Sequence, residues 1–223
     1  MLLGDAYVGK TSSIKSYMDE KLKKDYISTI GVDVTKIKIN ITNKKEDLVT
    51  LSVWDLAGQN QFQSIRKQFY LGANLALLIF DVSNKESFEN ISNWVEELES
   101  IITSRIPLVL VGNKIDLPRK VSIENMNKFV SKNELIVKTH ETSALTGTGI
   151  KDLFKYCAEI VHNEYKSKIQ GSSAKSSKKG SKKQVKKSTK KSTKKSTKKK
   201  PSASTSTKNT TKKTTQKKKK SKK

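Results

Sequence analysis

The sequence is poor in cysteine and has no long apolar run. Its one cysteine, Cys157, excludes a disulfide within the chain and is typical of proteins in a reducing compartment. A membrane-spanning helix needs about 20 apolar residues, and the best candidate run, residues 75–80, is much shorter. Because position 2 is not glycine and the chain ends without a cysteine, we expect neither N-myristoylation nor the usual prenylation, and no lipidation motif. We therefore expect a soluble, cytoplasmic protein.

Acidic residues are missing from residues 171–223, which contain 23 lysines. The whole chain has a formal net charge of +25, from 46 basic and 21 acidic residues. Residues 1–170 therefore hold 23 basic residues and all 21 acidic ones, an ordinary balance for one domain. Because the lysine-rich part has almost no apolar side chains, it cannot bury enough surface to fold. We predict a folded domain over residues 1–167 and a disordered tail over residues 168–223.

The tail has two predicted kinds of partner. Each lysine gains about 1 kcal/mol near an anionic membrane leaflet, so the tail can hold the protein peripherally on such membranes. The same lysines can neutralise the phosphates of nucleic acid without sequence preference. A third interpretation is a solubilising tail with no fixed partner. The sequence does not choose among the three.

The first eleven residues carry a dense motif. Residues 4–11, which we call the phosphate loop, read G-D-A-Y-V-G-K-T and fit the pattern G-x-x-x-x-G-K-S/T. Glycines let backbone N–H groups approach a phosphate, and a following helix N-terminus adds partial positive charge. Lys10 is predicted to reach the β- and γ-phosphates, and the Thr11 hydroxyl to bind Mg²⁺. Taken alone, the loop also fits a glycine-bearing turn with a solvated lysine.

Hydrophobic patterning predicts alternating strands and helices. The predicted strands cover residues 32–41, 48–54, 75–80, 106–111 and 135–137. One predicted helix begins at residue 11, and three others cover residues 84–102, 122–132 and 150–165. A shorter helix is predicted within residues 60–72. Ser83 is predicted to cap the helix at 84–102, with Glu86 completing a capping box. This order predicts a doubly wound, mostly parallel α/β sheet, which binds ligands at the carboxyl ends of its strands.

Polar residues follow the predicted strand at 48–54. Asp55 is placed to hold Mg²⁺ opposite Thr11, and the Gly58 N–H is placed to contact a γ-phosphate. Gln59 is suited to orient an attacking water. Thr29 would complete the metal shell when the γ-phosphate is present. Alone, Asp55 also fits a turn-forming residue and Thr29 a solvated loop residue.

The tetrapeptide Asn113-Lys114-x-Asp116 indicates which base is bound. A carboxylate at Asp116 can accept hydrogen bonds from the N1–H and 2-amino groups of guanine, a pattern that adenine does not offer. Lys114 can lay its aliphatic stem over the base, and Asn113 can tie this segment to the phosphate loop. The N–H of Ala144, after Ser143, is suited to donate to guanine O6. Residues 113–116, the guanine loop, therefore disfavour an ATPase.

With these motifs in order, the chain resembles the Ras superfamily of small GTPases, and its Rab-like branch in particular. The resemblance also rests on residues 26–33, 54–59, 80–83 and 142–144, and it spans residues 1 to about 166. It implies a P-loop NTPase G domain with a six-stranded sheet and five helices, bound GTP or GDP with Mg²⁺, and slow GTP hydrolysis. It also implies two switch segments, residues 21–31 and 56–72, that present surfaces to effectors, an exchange factor and a GTPase-activating protein. We expect a monomer.

The site residues follow from the motifs and the resemblance together. The predicted catalytic residues are Gln59, Lys10 and Thr29. The predicted metal ligands are Thr11, Thr29 and Asp55. The predicted nucleotide-binding residues are Gly4, Asp5, Ala6, Tyr7, Val8, Gly9, Lys10, Thr11, Ser12, Thr29, Gly58, Asn113, Lys114, Asp116, Ser143 and Ala144.

The chain departs from the family at several positions. Leu22 stands where an aromatic residue usually contacts the guanine edge, so nucleotide release is expected to be faster. Ala6 and Tyr7 occupy loop positions that are mostly small in the family, and Ala6 is predicted to lie near Gln59, where it would hinder an arginine supplied in trans. Tyr70, with Trp54 and Phe62, fits either core packing or an effector surface.

Two functions therefore stay open. The first is a guanine-nucleotide-dependent molecular switch of the signalling or trafficking kind, which slowly hydrolyses GTP. The second is a GTP-binding scaffold with negligible hydrolysis, tethered to nucleic acid or an anionic membrane by its tail. Intact Gln59 and Thr29 favour the switch, whereas Ala6, Tyr7 and Leu22 leave room for the scaffold.

Overall fold

The sheet of this protein is wound in both directions from a short central strand. The computed structural model describes residues 1–20, 29–42 and 47–177. Its strands are β1 (Leu2–Leu3), β2 (Val32–Asn40), β3 (Leu48–Leu56), β4 (Ala76–Asp81), β5 (Leu108–Asn113) and β6 (Ile136–Thr142). They lie in the order β2-β3-β1-β4-β5-β6, and only the β2–β3 pair is antiparallel. The predicted doubly wound, mostly parallel α/β sheet is confirmed.

The helices cover both faces of the sheet. They are α1 (Lys10–Tyr17), α2 (Gln63–Lys67), α3 (Lys85–Glu89), α4 (Ile91–Glu99), α5 (Ile123–Val130) and α6 (Ile150–Ser177), with a 3₁₀ turn at Asn60–Phe62 before α2. Both faces of β4 and β5 are buried, as the continuous apolar runs predict. Leu77 and Ile79 of β4 face a cluster that includes Phe154, while Leu78 and Phe80 face another that includes Trp94.

The predicted helix over residues 84–102 is divided in two at Asn90, and this division accounts for the sixth helix. The predicted cap at Ser83 is wrong, because the side chain of Asn84 accepts the hydrogen bond from the Glu86 N–H at 3.1 Å. The Ser83 hydroxyl instead donates to Asp81 Oδ1 at 2.6 Å. A local motif identified the start of this helix but not which of two adjacent polar residues caps it.

Two elements are longer than predicted. Strand β6 continues to Thr142 because its pairing with β5 extends to Asn113. Residues 138–142 of this strand are polar, so no alternation of apolar and polar residues predicted it. Helix α6 was predicted to end near Tyr165 but runs to Ser177, into the segment predicted to be disordered. Residues 150–177 contain no proline, and Glu164 pairs with Lys168 one turn on at 3.7 Å. The rest of the predicted tail, residues 178–223, lies outside the described residues.

Between β2 and β3, the Ile41 N–H donates to the Asp47 main-chain oxygen at 3.2 Å. The sequence predicts a turn at residues 42–47 here. Residues 43–46 lie outside the described part. None of the helices within the described residues is long and apolar enough to cross a membrane. The carboxyl ends of β1, β3, β4, β5 and β6 all point to one edge of the sheet, and the candidate site lies along that edge.

Candidate functional site

The phosphate loop needs its two glycines for both conformation and space. Gly4 has φ +142° and Gly9 has φ +102°, backbone conformations that favour glycine. A Cβ on Gly4 would lie 2.1 Å from the main-chain oxygen of Ile79, and one on Gly9 would lie 2.2 Å from Asn113 Nδ2. The loop is therefore held against β4 on one side and against the guanine loop on the other.

The Lys10 ammonium is buried inside the loop. Its Nζ donates to the main-chain oxygens of Gly4 and Asp5, both at 2.7 Å, and the residue is 6% exposed. Burial lowers the pKa of Lys10 to about 8, although the carboxylates of Asp55 and Asp5 act in the opposite direction. An anion bound in the loop would stabilise the charged form of this side chain, which is what a phosphate supplies.

The three predicted metal ligands come together at the start of α1. Thr11 Oγ1 lies 2.7 Å from Thr29 Oγ1 and hydrogen-bonds to Asp55 Oδ2. Thr29 Oγ1 also donates to Asp55 Oδ2, at 3.4 Å. Two hydroxyls and one carboxylate thus converge from three separate segments of the chain.

The Asp55 carboxylate is buried and only partly hydrogen-bonded, as is typical of a carboxylate that binds a cation. It is 1% exposed, and its Oδ1 has no hydrogen-bond partner among the described residues. Burial raises the pKa of Asp55, despite hydrogen bonds from Thr11 and the nearby charge of Lys10. Mg²⁺ prefers oxygen ligands and takes only one or two carboxylates when substrate phosphates supply the rest. The described residues hold no cluster of three or more His, Cys, Asp or Glu suited to a metal. The donor set of two hydroxyls and one carboxylate is of the kind that fits Mg²⁺ bound together with phosphate.

The second switch segment begins in contact with the phosphate loop. A Cβ on Gly58 would lie 2.4 Å from the Asp5 main-chain carbon and 2.5 Å from the Ala6 nitrogen, so only glycine allows this approach. Gln59 follows, half-buried, and its Oε1 accepts a hydrogen bond from Gln61 Nε2 at 2.8 Å. Ala6 and Gln59 line the same cleft. Residues 21–28 of the first switch segment, including Leu22, lie outside the described residues.

Asn113 joins the guanine loop to the rest of the site. Its Nδ2 donates to the Val8 main-chain oxygen at 2.8 Å, and its Oδ1 accepts from the Thr142 hydroxyl and the Ala144 N–H, both at 3.1 Å. The residue is 1% exposed. The predicted tie between Asn113 and the phosphate loop is therefore present in the structure. The Ala144 N–H, predicted to donate to guanine O6, donates here to Asn113.

The remaining guanine-loop side chains are held at the rim. Lys114 has φ +66°, and its Nζ pairs with Asp81 Oδ2 at 2.7 Å. Burial raises the pKa of Asp81, but hydrogen bonds from Lys114 and Ser83 outweigh it and hold this pKa below its ordinary value. Asp116 is exposed and accepts a hydrogen bond from the Ser143 hydroxyl. Asp81 was not among the predicted site residues, although it ends β4 at the edge where the other residues lie.

Other predicted loop residues take different positions. Val8 is buried at 2% exposure, whereas Tyr7 is 58% exposed with φ +67°. Ser12 lies in the first turn of α1. The Asp5 carboxylate turns to α4, where Oδ1 accepts from Trp94 Nε1 and Oδ2 from Asn90 Nδ2, both at 2.8 Å.

A buried polar group that no sequence motif indicates lies between α2 and α4. Arg66 and Glu97 form a two-pronged ion pair, and the Tyr70 hydroxyl donates to Glu97 at 2.5 Å. Tyr70 is 0% exposed, so of the two alternatives left open for this residue the structure supports core packing. Trp54 and Phe62 are half-buried. No local pattern marks these contacts, because they join residues about 30 positions apart.

Comparison with known proteins agrees with this geometry. The sequence model of the Ras family matches residues 1–163. Ras-related protein Rab-4A of Mus musculus is 35% identical over 169 residues, which cover 75% of this chain and 75% of that protein. Ras-related protein Rab-4 of Dictyostelium discoideum is 34% identical over 169 residues, which cover 75% of this chain and 80% of that protein.

Proposed function

From the premise that this chain belongs to the Ras family and is a Rab-like small GTPase, we propose how its residues bind GTP and hydrolyse it. As a member of that family, the protein is a GTP-binding switch of the trafficking or signalling kind. The proposal concerns the residues that hold nucleotide and Mg²⁺, a slow intrinsic hydrolysis, and the partner of the tail.

The phosphate end of the site consists of the phosphate loop, the three proposed metal ligands and Gln59. The backbone of the phosphate loop and the Lys10 ammonium bind the β- and γ-phosphates, so that negative charge developing on the γ-phosphate is neutralised. Thr11, Thr29 and Asp55 would hold Mg²⁺, which supplies further charge neutralisation on the phosphates when bound. The Gln59 side chain orients the attacking water. Because the first switch segment, residues 21–31, contains no arginine, unaided turnover is expected to be slow.

The base end selects guanine. The Asp116 carboxylate faces solvent at the rim and accepts hydrogen bonds from the base, while Lys114 is held by Asp81 so that its stem covers the base. The Ala144 N–H is the proposed donor to guanine O6. Asp116→Asn is expected to lower GTP affinity by more than tenfold, because it removes the charge that accepts two hydrogen bonds. Asp152→Asn on α6 is the matched control. Equal GTP affinities for Asp116→Asn and the wild type would refute the base assignment.

One observation carries the proposal. The buried Asp55 carboxylate has one oxygen, Oδ1, without a described partner, while its other oxygen, Oδ2, accepts from the hydroxyls of Thr11 and Thr29. The buried Lys10 ammonium lies close enough to act on its charge. An unpaired buried carboxylate oxygen costs free energy unless a ligand satisfies it. Asp55, Thr11, Thr29 and Lys10 would each gain a partner if Mg²⁺ and phosphate were bound here.

Single-turnover hydrolysis of pre-bound GTP tests the proposal. We expect slow hydrolysis in the wild type and a rate lower by at least tenfold in Gln59→Leu. Gln68→Leu makes the same change at an exposed position of the same segment and serves as the control. Equal rates in the wild type and Gln59→Leu would refute the role of Gln59.

The scaffold is the second candidate, and Ala6 is the observation in its favour, because it lines the cleft with Gln59. A scaffold predicts tight GTP binding with hydrolysis at background in both the wild type and Gln59→Leu.

The tail is proposed to bind an anionic membrane surface. Residues 178–223 hold 22 lysines and no acid, and such clusters bind acidic lipid with strong salt dependence. Deletion of residues 178–223 leaves α6 complete and is expected to abolish binding to vesicles containing phosphatidylserine at low salt. Binding of the full chain to RNA but not to vesicles would favour nucleic acid instead, and binding to neither would leave the solubilising role.

A further inference from the structure

Among the described residues, the side chain of Arg66 is the most completely enclosed charge outside the phosphate site. It is 2% exposed, and its Nε and Nη2 donate to the two carboxylate oxygens of Glu97, both at 2.8 Å. Glu97 also accepts from Tyr70 and from Gln63 Nε2, the latter at 2.7 Å. Burial raises the pKa of Glu97, but these hydrogen bonds, first that of Arg66, hold it below its ordinary value. The carboxylate is therefore charged and its hydrogen-bonding capacity is filled.

The guanidinium of Arg66 also makes contacts outside its ion pair with Glu97. Its Nη1 donates to the main-chain oxygen of Gln59 at 2.9 Å. Its carbon atom also lies 4.3 Å from the centroid of the Trp94 ring, so the cation stacks on an aromatic face. Five fixed donors on a planar group allow this combination, which a lysine cannot reproduce.

Helix α4 carries the partners of both Arg66 and the phosphate loop. Glu97 and Trp94 belong to α4, and the indole N–H of Trp94 donates to Asp5 in the phosphate loop. Gly58, the residue before Gln59, approaches the backbone of the same loop. The main chain of Gln59 is thus fixed from both ends, by Gly58 against the phosphate loop and by Arg66 against α4.

We propose that Arg66 is a positioning residue for GTP hydrolysis, which holds the main chain of Gln59 at the γ-phosphate side of the phosphate loop. The inference rests on the role of Gln59 in the proposed function. Arg66 acts through Gln59 and touches no candidate substrate position, so it is not a catalytic residue. A buried ion pair contributes little net stability compared with an apolar pair, but it defines one geometry, and misplacement of a reacting group by about 1 Å can lower a rate about 100-fold.

Single-turnover hydrolysis of pre-bound GTP, with GDP dissociation measured beside it, tests the inference. Arg66→Ala and Arg66→Lys are expected to hydrolyse GTP at least tenfold more slowly, with GDP dissociation changed less than threefold. Glu97→Gln keeps one carbonyl acceptor for the guanidinium and is expected to lose less rate than Arg66→Lys. Arg105→Ala is the matched control, because Arg105 pairs with Glu134 at 80% exposure, and its rate is expected to equal that of the wild type.

The double variants separate positioning from general stabilisation. If Arg66 acts through Gln59, Arg66→Lys lowers the rate in the wild type but not in a Gln59→Leu background. Equal losses in the two backgrounds, or wild-type hydrolysis by Arg66→Lys while Gln59→Leu is slow, would overturn the inference and leave the proposed function intact. Wild-type hydrolysis by Gln59→Leu itself would instead remove the proposed function on which the inference rests. Should Arg66→Ala fail to fold, Arg66→Lys and Glu97→Gln decide the question.

Discussion

Replacement of Asn113 by alanine tests the connection between the two ends of the nucleotide site. The variant removes one hydrogen bond to Val8 and two to Oδ1, from Thr142 and Ala144. Each bond contributes about 1 kcal/mol net, and a buried group left unpaired costs about 1–3 kcal/mol. Because Asn113 is 1% exposed, water does not easily replace the lost partner. We expect a loss of about 3–5 kcal/mol in the free energy of unfolding.

Urea unfolding without nucleotide measures this loss, since bound nucleotide would add its own stabilisation. Thr142→Val is the matched control, because it removes one of the same three bonds together with its donor, and should cost about 1 kcal/mol. GDP dissociation is expected to be more than tenfold faster in Asn113→Ala, because the phosphate loop and the guanine loop no longer share an anchor. A loss below about 1 kcal/mol with unchanged GDP dissociation would show that Asn113 does not join them.

Three further predictions concern the phosphate end. Gly58→Ala places a methyl group 2.4 Å from the Asp5 main-chain carbon, so single-turnover hydrolysis should fall at least tenfold while GDP affinity changes little; equal hydrolysis would contradict the close approach. Burial holds the pKa of Lys10 at about 8, and phosphate binding needs the ammonium, so GDP binding takes up a proton above this pH. The GDP affinity, measured from pH 7 to 9.5, should be constant up to about pH 8 and then fall by up to about tenfold per pH unit. A GDP affinity that does not change over this range would argue against a role for the Lys10 ammonium in phosphate binding. Because burial raises the pKa of Asp55, the Asp55→Asn variant without nucleotide should have the same free energy of unfolding as the wild type or a higher one. The Mg²⁺ concentration needed to slow GDP release should nevertheless be at least tenfold higher in this variant. A destabilised variant with a normal Mg²⁺ response would refute this prediction.

Much of the fold could be predicted from the sequence because its signals are local. The apolar run of β4 identifies a strand covered on both faces, and the pattern around Gly4 and Lys10 identifies a loop between a strand and a helix. The grouping of Asp55 and Asn113 at one edge follows from parallel strands, since their carboxyl ends lie together. The assignment of roles to these residues stays a prediction for the experiments above.

The remaining features depend on contacts that no local pattern records. The break at Asn90 coincides with a hydrogen bond from its side chain to Asp5, 85 positions earlier. The burial of Tyr70 depends on Glu97, whose own charge is stabilised by Arg66. From sequence alone Tyr70 fits either core packing or an effector surface, and nothing marks Arg66 or Glu97 as buried. Only the contacts between α2, Tyr70 and α4 show that all three are enclosed.

The contacts of Trp94 also give the protein an internal optical probe. The chain has two tryptophans, and the indole of Trp94 bonds to the phosphate loop through Asp5 while its face carries the Arg66 cation. Indole emission is sensitive to nearby charge and to hydrogen bonding at its nitrogen. In a Trp54→Phe background, the fluorescence of Trp94 would therefore follow the exchange of GTP for GDP in real time, without a labelled nucleotide.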